Sequence, residues 1–333
     1  AEKKLMDTPK PRGYLPIDGI AAYDDAVKKL VFGADSAVYK DGRIATVQGL
    51  GGTGGLKIAA DFLKRLNPGA KVLISDPSWE NHRALFSQAG FEVDTYRYYN
   101  AGTRALDFEG MLADLKAAAP GTIAVLHACC HNPTGYDITA AQWDQVIAVV
   151  KERQLTPILD MAYQGFAHGI AEDGAVVGKF VASGLDFFVA TSFSKSFSLY
   201  GERVGALSVV CSSKEEAAKV LSQLKIMIRT NYSNPPTHGG AVVALVLDDP
   251  ALRQQWEEEL SHMRNRIKQM RAKLVDGLKA AGVKQDMSFI TTQIGMFSYS
   301  GLSKDQMVRL RSEFGVYGTD SGRMCVAALN DKI

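Results

Sequence analysis

Seven short apolar runs, separated by amphipathic stretches, constrain the fold of this chain more than any other feature of its sequence. Each run has the length of a strand, and the stretches between them repeat apolar residues at the three- and four-residue spacing of a helix. Strands that alternate with helices in this way predict an α/β fold with a mostly parallel seven-stranded sheet covered by helices on both faces. The predicted strands are residues 43–50, 71–75, 92–98, 122–128, 156–160, 187–191 and 205–211.

The last part of the chain has a different pattern. Asp249 and Pro250 have the residue types of a helix N-cap and a first helical position. The apolar repeat behind them predicts one long helix, ~45 Å at 1.5 Å per residue, which can connect two domains. We therefore expect a large domain over residues 1–262 and a smaller α+β domain over residues 263–333. Beyond the long helix, short strands are predicted at residues 289–292, 296–299 and 323–328, and a capped helix is predicted from residue 303 onward.

Composition and charge exclude several classes of protein. The 38 basic and 36 acidic residues are interspersed and leave a net charge of +2, which gives no reason to expect a nucleic acid or an anionic membrane as partner. No apolar run approaches the length of a membrane span. The four cysteines form no CxxC pair, a usage that favours a reduced, cytoplasmic protein over a disulfide scaffold.

Lys195 lies in the segment TSFSKSFSLYGER, directly after the predicted strand 187–191. Burial at such a position lowers the pKa of an amine and makes it a nucleophile towards carbonyl groups. The neighbouring hydroxyls and Arg203 could bind a dianion such as a phosphate. A lysine beside a phosphate site suggests pyridoxal phosphate held as a Schiff base. The alternative is a lysine that extends past a hydroxyl-rich loop into solvent.

Three further segments carry polar groups at predicted strand ends. The GGTGG run at residues 51–55 opens a helix, so its amides and the Thr53 hydroxyl could bind an anion, or it could form a tight turn. Asp160 could pair with a pyridinium nitrogen, or it could cap a helix. Asn132, in an Asn-Pro-Thr-Gly turn, could donate to a phenolate oxygen, or the turn could be an ordinary one.

A metal site is not expected. His127, Cys129 and His131 alternate, and on a strand they would share one face. Ligands two positions apart on one strand rarely close a tetrahedral site, and the sequence has no second cluster of ligands.

Three more side chains have open interpretations. Trp79 could stack on a planar cofactor or pack as a surface aromatic. Arg229 and Arg323 could each bind a carboxylate with two parallel hydrogen bonds or form an ordinary salt bridge.

Together these segments resemble the aspartate and aromatic-amino-acid aminotransferases, which are fold-type I pyridoxal phosphate enzymes. Three of the motifs, LDMAYQGF, SFSLYGERVG and GRMCVAAL, look like the bacterial aromatic (tyrosine) branch, whereas Thr53 and Asn234 look like the aspartate branch. The resemblance covers nearly the whole chain, although the family has further residues before the segment of Tyr14 and a final helix after Asn330. The motifs that carry it are LGGTGGLKIAADFL, DPSWENH, HACCHNPTG, LDMAYQGF, SFSKSFSLYGERVG, RTNYSNPP, IGMFSYSGL and GRMCVAAL.

The resemblance implies roles around the cofactor ring. Lys195 would hold the cofactor as the Schiff-base lysine and shuttle protons. Asp160, with His82 behind it, would pair with the pyridinium nitrogen. Tyr163 and Asn132 would hydrogen-bond the phenolic oxygen. The catalytic set would be Lys195, Asp160 and Tyr163, and Trp79 would stack on the ring.

The resemblance also implies a phosphate site and a substrate site. The phosphate would be held by Gly52, Thr53, Ser192 and Arg203, with Tyr14 from the other subunit. Arg323 would bind the substrate α-carboxylate, and Arg229 would reach into the partner's site to bind a side-chain carboxylate. Trp79, Asn132 and Tyr14 would border the substrate. The site would therefore be shared within a homodimer.

The function implied is transfer of an amino group between an aromatic amino acid (Tyr, Phe) or aspartate and 2-oxoglutarate, by a ping-pong mechanism. Alternatives are a strict aspartate aminotransferase and a β-elimination or decarboxylation enzyme on the same fold. A nucleotide-binding module that uses residues 51–55 is disfavoured, because no GxGxxG with a following acidic ribose ligand is present.

Overall fold

The structure is a computed structural model that describes residues 1–9, 11 and 13–330. The helices, in chain order, are α1 (Glu2–Asp7), α2 (Ala21–Phe32), α3 (Ala37–Lys40), α4 (Gly51–Leu66), α5 (Glu80–Gln88), α6 (Phe108–Ala117), α7 (Ala140–Glu152), α8 (Ile170–Ser183), α9 (Lys214–Asn231), α10 (His238–Asp248), α11 (Pro250–Ala280), α12 (Phe289–Thr292) and α13 (Lys304–Phe314). The strands are β1 (Ile44–Leu50), β2 (Lys71–Asp76), β3 (Glu92–Arg97), β4 (Tyr99–Asn100), β5 (Ala105–Leu106), β6 (Ile123–His127), β7 (Thr156–Met161), β8 (Phe187–Ser192), β9 (Val204–Val210), β10 (Phe297–Tyr299) and β11 (Arg323–Cys325).

A seven-stranded sheet forms the centre of the molecule, in the order β1-β9-β8-β7-β6-β2-β3. Only β9 runs antiparallel to its neighbours, so the sheet is mostly parallel, as the sequence predicts. The seven predicted strands agree with the observed ones to within one residue at each end. This agreement follows from the two-sided burial of a parallel sheet, which makes each strand a short apolar run with polar residues at its ends.

The two faces of the sheet belong to two apolar clusters. On β6, Ala124 and Leu126 join one cluster, whereas Ile123 and Val125 join the other. Helix α4 covers the second face, and α2, α7 and α8 contribute buried residues to the first. In the described part of the chain, no helix has both the length and the apolar character needed to cross a membrane.

The long helix α11 begins as the sequence predicts. The Asp249 carboxylate accepts from the backbone N–H groups of Ala251 (3.0 Å) and Leu252 (3.1 Å), and Pro250 occupies the first turn. The predicted domain boundary near residue 262 falls inside this helix. Residues 331–333 of the predicted small domain lie outside the described residues.

The C-terminal part corrects two predictions. Residues 289–292 form the helical turn α12 and not a strand, because the hydroxyls of Thr291 and Thr292 donate to the carbonyls of Ser288 (2.7 Å) and Phe289 (2.8 Å). These local bonds outweigh the strand preference of β-branched residues. The predicted strand 323–328 ends at Cys325, and residues 326–328 form a 3₁₀ turn. The predicted helix at Ser303 is present with a full capping box.

The N-cap of α11 gives a stability prediction. Replacing Asp249 by alanine removes the acceptor for two otherwise unpaired N–H groups, so we expect the free energy of unfolding to fall by about 1 kcal/mol. Asp249→Asn keeps a good N-cap side chain and loses only the charge, so it should stay close to wild type. Denaturant unfolding of the three proteins measures the difference, and equal losses in both variants would contradict the capping role.

Candidate active site

Loops at the carboxyl ends of β1, β2, β6, β7 and β8 enclose an open cavity of about 630 Å³. Ligands of open α/β sheets bind at this edge, because the loops there converge while the strands stay buried. Nine of the twelve side chains and glycines proposed from the sequence line the cavity. They are Gly52, Thr53, Trp79, Asn132, Asp160, Tyr163, Ser192, Lys195 and Arg203.

A buried carboxylate with a histidine partner forms one wall of the cavity. Asp160 on β7 accepts a hydrogen bond from Nε2 of His82 on α5 (2.8 Å), and His82 Nδ1 contacts the Ser78 hydroxyl (2.8 Å). Burial raises the pKa of the Asp160 carboxyl, but the hydrogen bond and the charge of His82, with Lys195 nearby, lower it below its ordinary value. Asp160 is therefore an anion at neutral pH, and it is held in one orientation.

Lys195 lies in the loop after β8 and is partly buried. Its Nζ atom is 4.8 Å from the centroid of the Tyr163 ring. Burial lowers the pKa of the amine, Asp160 opposes this shift, and the Arg203 charge adds to it. A lowered pKa increases the fraction of neutral amine, which is the nucleophilic form.

Polar contacts connect the large sheet to the C-terminal strands. The Asn132 amide donates to the Tyr163 hydroxyl (3.5 Å), and the Arg323 guanidinium on β11 donates to the Asn132 oxygen (3.0 Å). The Arg323 guanidinium also lies 4.5 Å from the centroid of the Phe297 ring. Arg323 does not line the cavity itself, but its bond to Asn132 places it at the edge. Burial raises the pKa of the Tyr163 hydroxyl, so this group is a neutral hydrogen-bond donor at neutral pH.

The glycine run and Arg203 form a concave site at the start of α4. A Cβ atom at Gly51 would lie 2.7 Å from the Arg203 guanidinium, and one at Gly52 would lie 3.1 Å from Cβ of Ser192. Gly51 also has a φ of +69°, a conformation that favours glycine. The two glycines thus let Arg203 and Ser192 approach the backbone closely, so a guanidinium, a hydroxyl and a helix N-terminus lie together. These are the groups that bind a phosphate, so the residues present fit a phosphate ester.

Two residues proposed from the sequence are not brought to this cavity. Tyr14 is 96% exposed, and Arg229 is exposed on α9, where it donates to the Ser233 hydroxyl. The Asn234 amide donates to the Leu15 carbonyl (3.0 Å) and so connects the segment of Tyr14 to the turn that follows α9. The side chains of Tyr14 and Arg229 therefore lie on the surface of the chain.

His127 lines the cavity, a position that was not predicted from the sequence. Both of its ring nitrogens are buried and have no hydrogen-bond partner among the described residues. Burial, with His82 nearby, lowers the pKa of His127 to about 3 despite the opposing charge of Asp160. The signal was its place at the end of β6, where the neighbouring strand carries Asp160. Ser194 also lines the cavity and was not singled out.

The metal pattern considered from the sequence is not assembled as such. Cys129 groups with Cys130 and Asp173, away from His127, which groups with His82 and Asp160. The alternation of His127 and Cys129 along one strand does not hold, because β6 ends at His127.

Comparisons with known proteins agree with this geometry. Residues 1–332 match the family model described as aminotransferase class I and II. The chain is 59% identical over 330 residues to the aspartate aminotransferase of Pseudomonas aeruginosa. The alignment covers 99% of this chain and 83% of that protein.

Two solved structures have closely similar folds. One is the aromatic-amino-acid aminotransferase of Burkholderia pseudomallei covalently bound to pyridoxal phosphate, with a TM-score of 0.98, 63% identity, and coverage of 99% of this chain and 83% of that one. The other is the psychrophilic aromatic amino acid aminotransferase of Psychrobacter sp. B6 cocrystallised with aspartic acid, with a TM-score of 0.97, 45% identity and coverage of 99% and 83%.

Proposed function

Because this chain belongs to the family of class I and II aminotransferases, we propose that it transfers an amino group between aromatic amino acids or aspartate and 2-oxoglutarate. It is a transaminase that uses pyridoxal phosphate. The amino-acid range is supported by relatives named for aspartate and for aromatic amino acids. One cavity serves donor and acceptor in turn, which is a ping-pong mechanism. One observation carries the proposal. Lys195 and Asp160, which is bonded to His82, line the same cavity as the phosphate site at the start of α4.

Pyridoxal phosphate, when bound, supplies an aldehyde carbon and a ring that withdraws electrons from the substrate Cα. Asp160 would keep a proton on the ring nitrogen, and His82 fixes the orientation of that carboxylate. Tyr163 and Asn132 would donate to the phenolic oxygen, and Trp79 would stack on the ring. This arrangement requires that the Asp160 carboxyl be ionised, and the hydrogen bond from His82 favours the ionised form.

The phosphate site consists of backbone and hydroxyl donors with one guanidinium. Gly52 and Thr53 offer amides at the start of α4, Ser192 adds a hydroxyl, and Arg203 adds charge. Arg203 is itself oriented by donation to the carbonyls of Tyr200 (3.1 Å) and Leu50 (3.4 Å). Because these groups stand on the sheet, cofactor binding does not depend on the C-terminal residues.

Lys195 is the group that moves the proton. Its amine, with a lowered pKa, would accept the proton from the substrate Cα and hold it as an ammonium ion until the proton is returned. Arg323 binds the substrate α-carboxylate with two parallel hydrogen bonds, and Asn132 fixes the guanidinium from the other side. Arg323 thereby sets the orientation of the Cα–H bond towards Lys195.

The protein acts as a homodimer in this proposal. Tyr14 and Arg229 are exposed on one protomer and would complete the partner's site, Tyr14 at the phosphate and Arg229 at a side-chain carboxylate. Residues 1–262 would form the cofactor domain and residues 263–333 the small domain that carries Arg323. The four free cysteines suit the reducing cytoplasm, where we place the protein.

The first prediction concerns Lys195. Lys195→Ala should abolish transamination, because no other lysine of the described residues lines the cavity, while Arg203, Thr53 and Asp160 still retain the cofactor. The measurement is turnover with 2-oxoglutarate, together with the cofactor absorbance that stays with the protein on gel filtration. Turnover at the wild-type rate would exclude the assignment of Lys195.

The second prediction concerns Asp160. Asp160→Asn should bind the cofactor but lose more than roughly a hundredfold in kcat, about 3 kcal/mol of activation free energy, because a neutral amide cannot keep the ring nitrogen protonated. Steady-state kinetics of the cofactor-saturated variant provide the test. A kcat within threefold of wild type would show that Asp160 has no more than a structural role.

The third prediction separates the two arginines. Arg229→Leu should reduce kcat/KM for aspartate by roughly two decades, the effect of breaking a buried charge pair worth ~3 kcal/mol, and should spare phenylalanine. Arg323→Leu should damage both substrates, since both carry the α-carboxylate. Kinetics of both variants with both donors give four values.

Equal losses for aspartate and phenylalanine in Arg229→Leu would contradict this division of roles. A wild-type protein without phenylalanine turnover would favour the alternative, a strict aspartate aminotransferase.

A further inference from the structure

Arg271 is a buried arginine whose position in α11 the proposed mechanism does not use. Its residue exposure is 2%, and its guanidinium donates to the carbonyls of Ile290 (3.2 Å), Gly295 (2.9 Å) and Phe297 (2.5 Å). No carboxylate is an ion-pair partner of this guanidinium in the described ranges of the chain. Among the described residues, the Arg271 guanidinium is thus a buried cation whose two terminal nitrogens bond to backbone carbonyls and whose Nε atom has no partner.

Such a residue is costly, because a buried cation without an anion loses its hydration. A leucine or methionine would fill the same position of the α11 core face without that cost. Burial lowers the pKa of Arg271 to about 10, so the charge persists at neutral pH. Through its hydrogen bonds to these three carbonyls, the guanidinium holds the backbone of residues 290–297 against α11.

The anchored segment, residues 290–297, also contacts the loop that carries Asn132. The Ile294 N–H donates to the Gly135 carbonyl (2.7 Å). At Gly295, where φ is +80°, an added Cβ would come within 2.7 Å of Cβ of Cys130. The anchored segment is therefore held between Arg271 on one side and residues 130–135 on the other.

The anchored segment also contacts Arg323, through the Phe297 ring and through strand pairing. The Phe297 ring lies 4.5 Å from the Arg323 guanidinium and 6.0 Å from the Tyr163 ring, to which it is nearly perpendicular. Strands β10 and β11 pair with Tyr299 opposite Arg323, so the backbone of Arg323 is positioned from the same strand. Arg271 thus acts on both contacts of the Arg323 guanidinium, the Phe297 ring and the Asn132 amide.

We propose that Arg271 is a positioning residue for the α-carboxylate site: its guanidinium fixes residues 290–297 and thereby the Arg323 side chain. The proposal rests on the function proposed above, in which Arg323 binds that carboxylate. Arg271 touches neither substrate nor cofactor. Its loss should therefore weaken the binding of every ligand that has an α-carboxylate, whatever its side chain, and should leave the phosphate site at the start of α4 unchanged.

The test compares Arg271→Met with a matched control, Arg264→Met. Arg264 lies on the same helix and also donates to a backbone carbonyl, that of Gly165 (2.7 Å), which is not part of the anchored segment. For Arg271→Met we expect KM for aspartate and for phenylalanine to rise together by about tenfold or more, with kcat reduced less and cofactor affinity unchanged. Arg264→Met should retain the wild-type KM for both donors.

Two more variants keep the test decisive if Arg271→Met does not fold. Arg271→Lys keeps the charge and reaches fewer of the three carbonyls, so its KM should rise by a smaller factor. In Arg271→Ala, guanidinium ion added well below denaturing concentration should lower KM again, whereas the same concentration of urea or sodium chloride should not. Rescue by the ion is a result that a general loss of packing does not produce.

A wild-type KM in any folded, cofactor-loaded Arg271 variant overturns the inference, and so does an equal rise in Arg264→Met. The parallel variant Arg323→Leu separates this failure from failure of the proposed function. If Arg323→Leu raises KM and the Arg271 variants do not, only the positioning role is wrong. If Arg323→Leu leaves KM unchanged, the α-carboxylate site itself is wrong.

Discussion

The hydrogen bond between the buried carboxylate of Asp160 and His82 is the interaction on which this site depends. A carboxylate taken out of water tends to bind a proton and lose its charge. His82 reverses that tendency, and the neighbouring cation of Lys195 acts in the same direction. The same burial lowers the pKa of Lys195. One cavity thus holds an anion beside an amine whose pKa is lowered, a pair suited to proton transfer at a substrate carbon.

The sheet explains why these groups meet. Strands β6, β7 and β8 are parallel neighbours, so the residues after them converge at one edge although they are far apart in the chain. The groups proposed to hold the cofactor lie at this edge, whereas Arg323 lies on a C-terminal strand. In the proposed mechanism, cofactor binding and substrate orientation therefore belong to different parts of the chain. Arg271 and Phe297 lie where those parts are joined.

Most of the sheet could be predicted from the sequence, and nine of the residues proposed from it line one cavity. The strands were recognisable because burial on both faces leaves short apolar runs, and Lys195 and Asp160 were recognisable because they stand at the ends of such runs. The place of His127 at a strand end was visible in the sequence, but the lack of hydrogen-bond partners for its ring was not, since that is a property of the packed cavity. The contacts of Arg271 were not predictable for a similar reason. Its partners are backbone carbonyls, which every residue carries, so no side-chain type marks them in the sequence. The strand expected at residues 289–292 failed where threonine hydroxyls closed a local turn.

The central claim is that Lys195 is the amine to which the cofactor is attached. The most direct measurement is to reduce the cofactor-loaded enzyme with borohydride, digest it, and locate the modified lysine by mass spectrometry. The account predicts a phosphopyridoxyl group on Lys195, within the peptide that contains SFSKSFSLYGER. A modification at another lysine, with Lys195 unmodified, would contradict it.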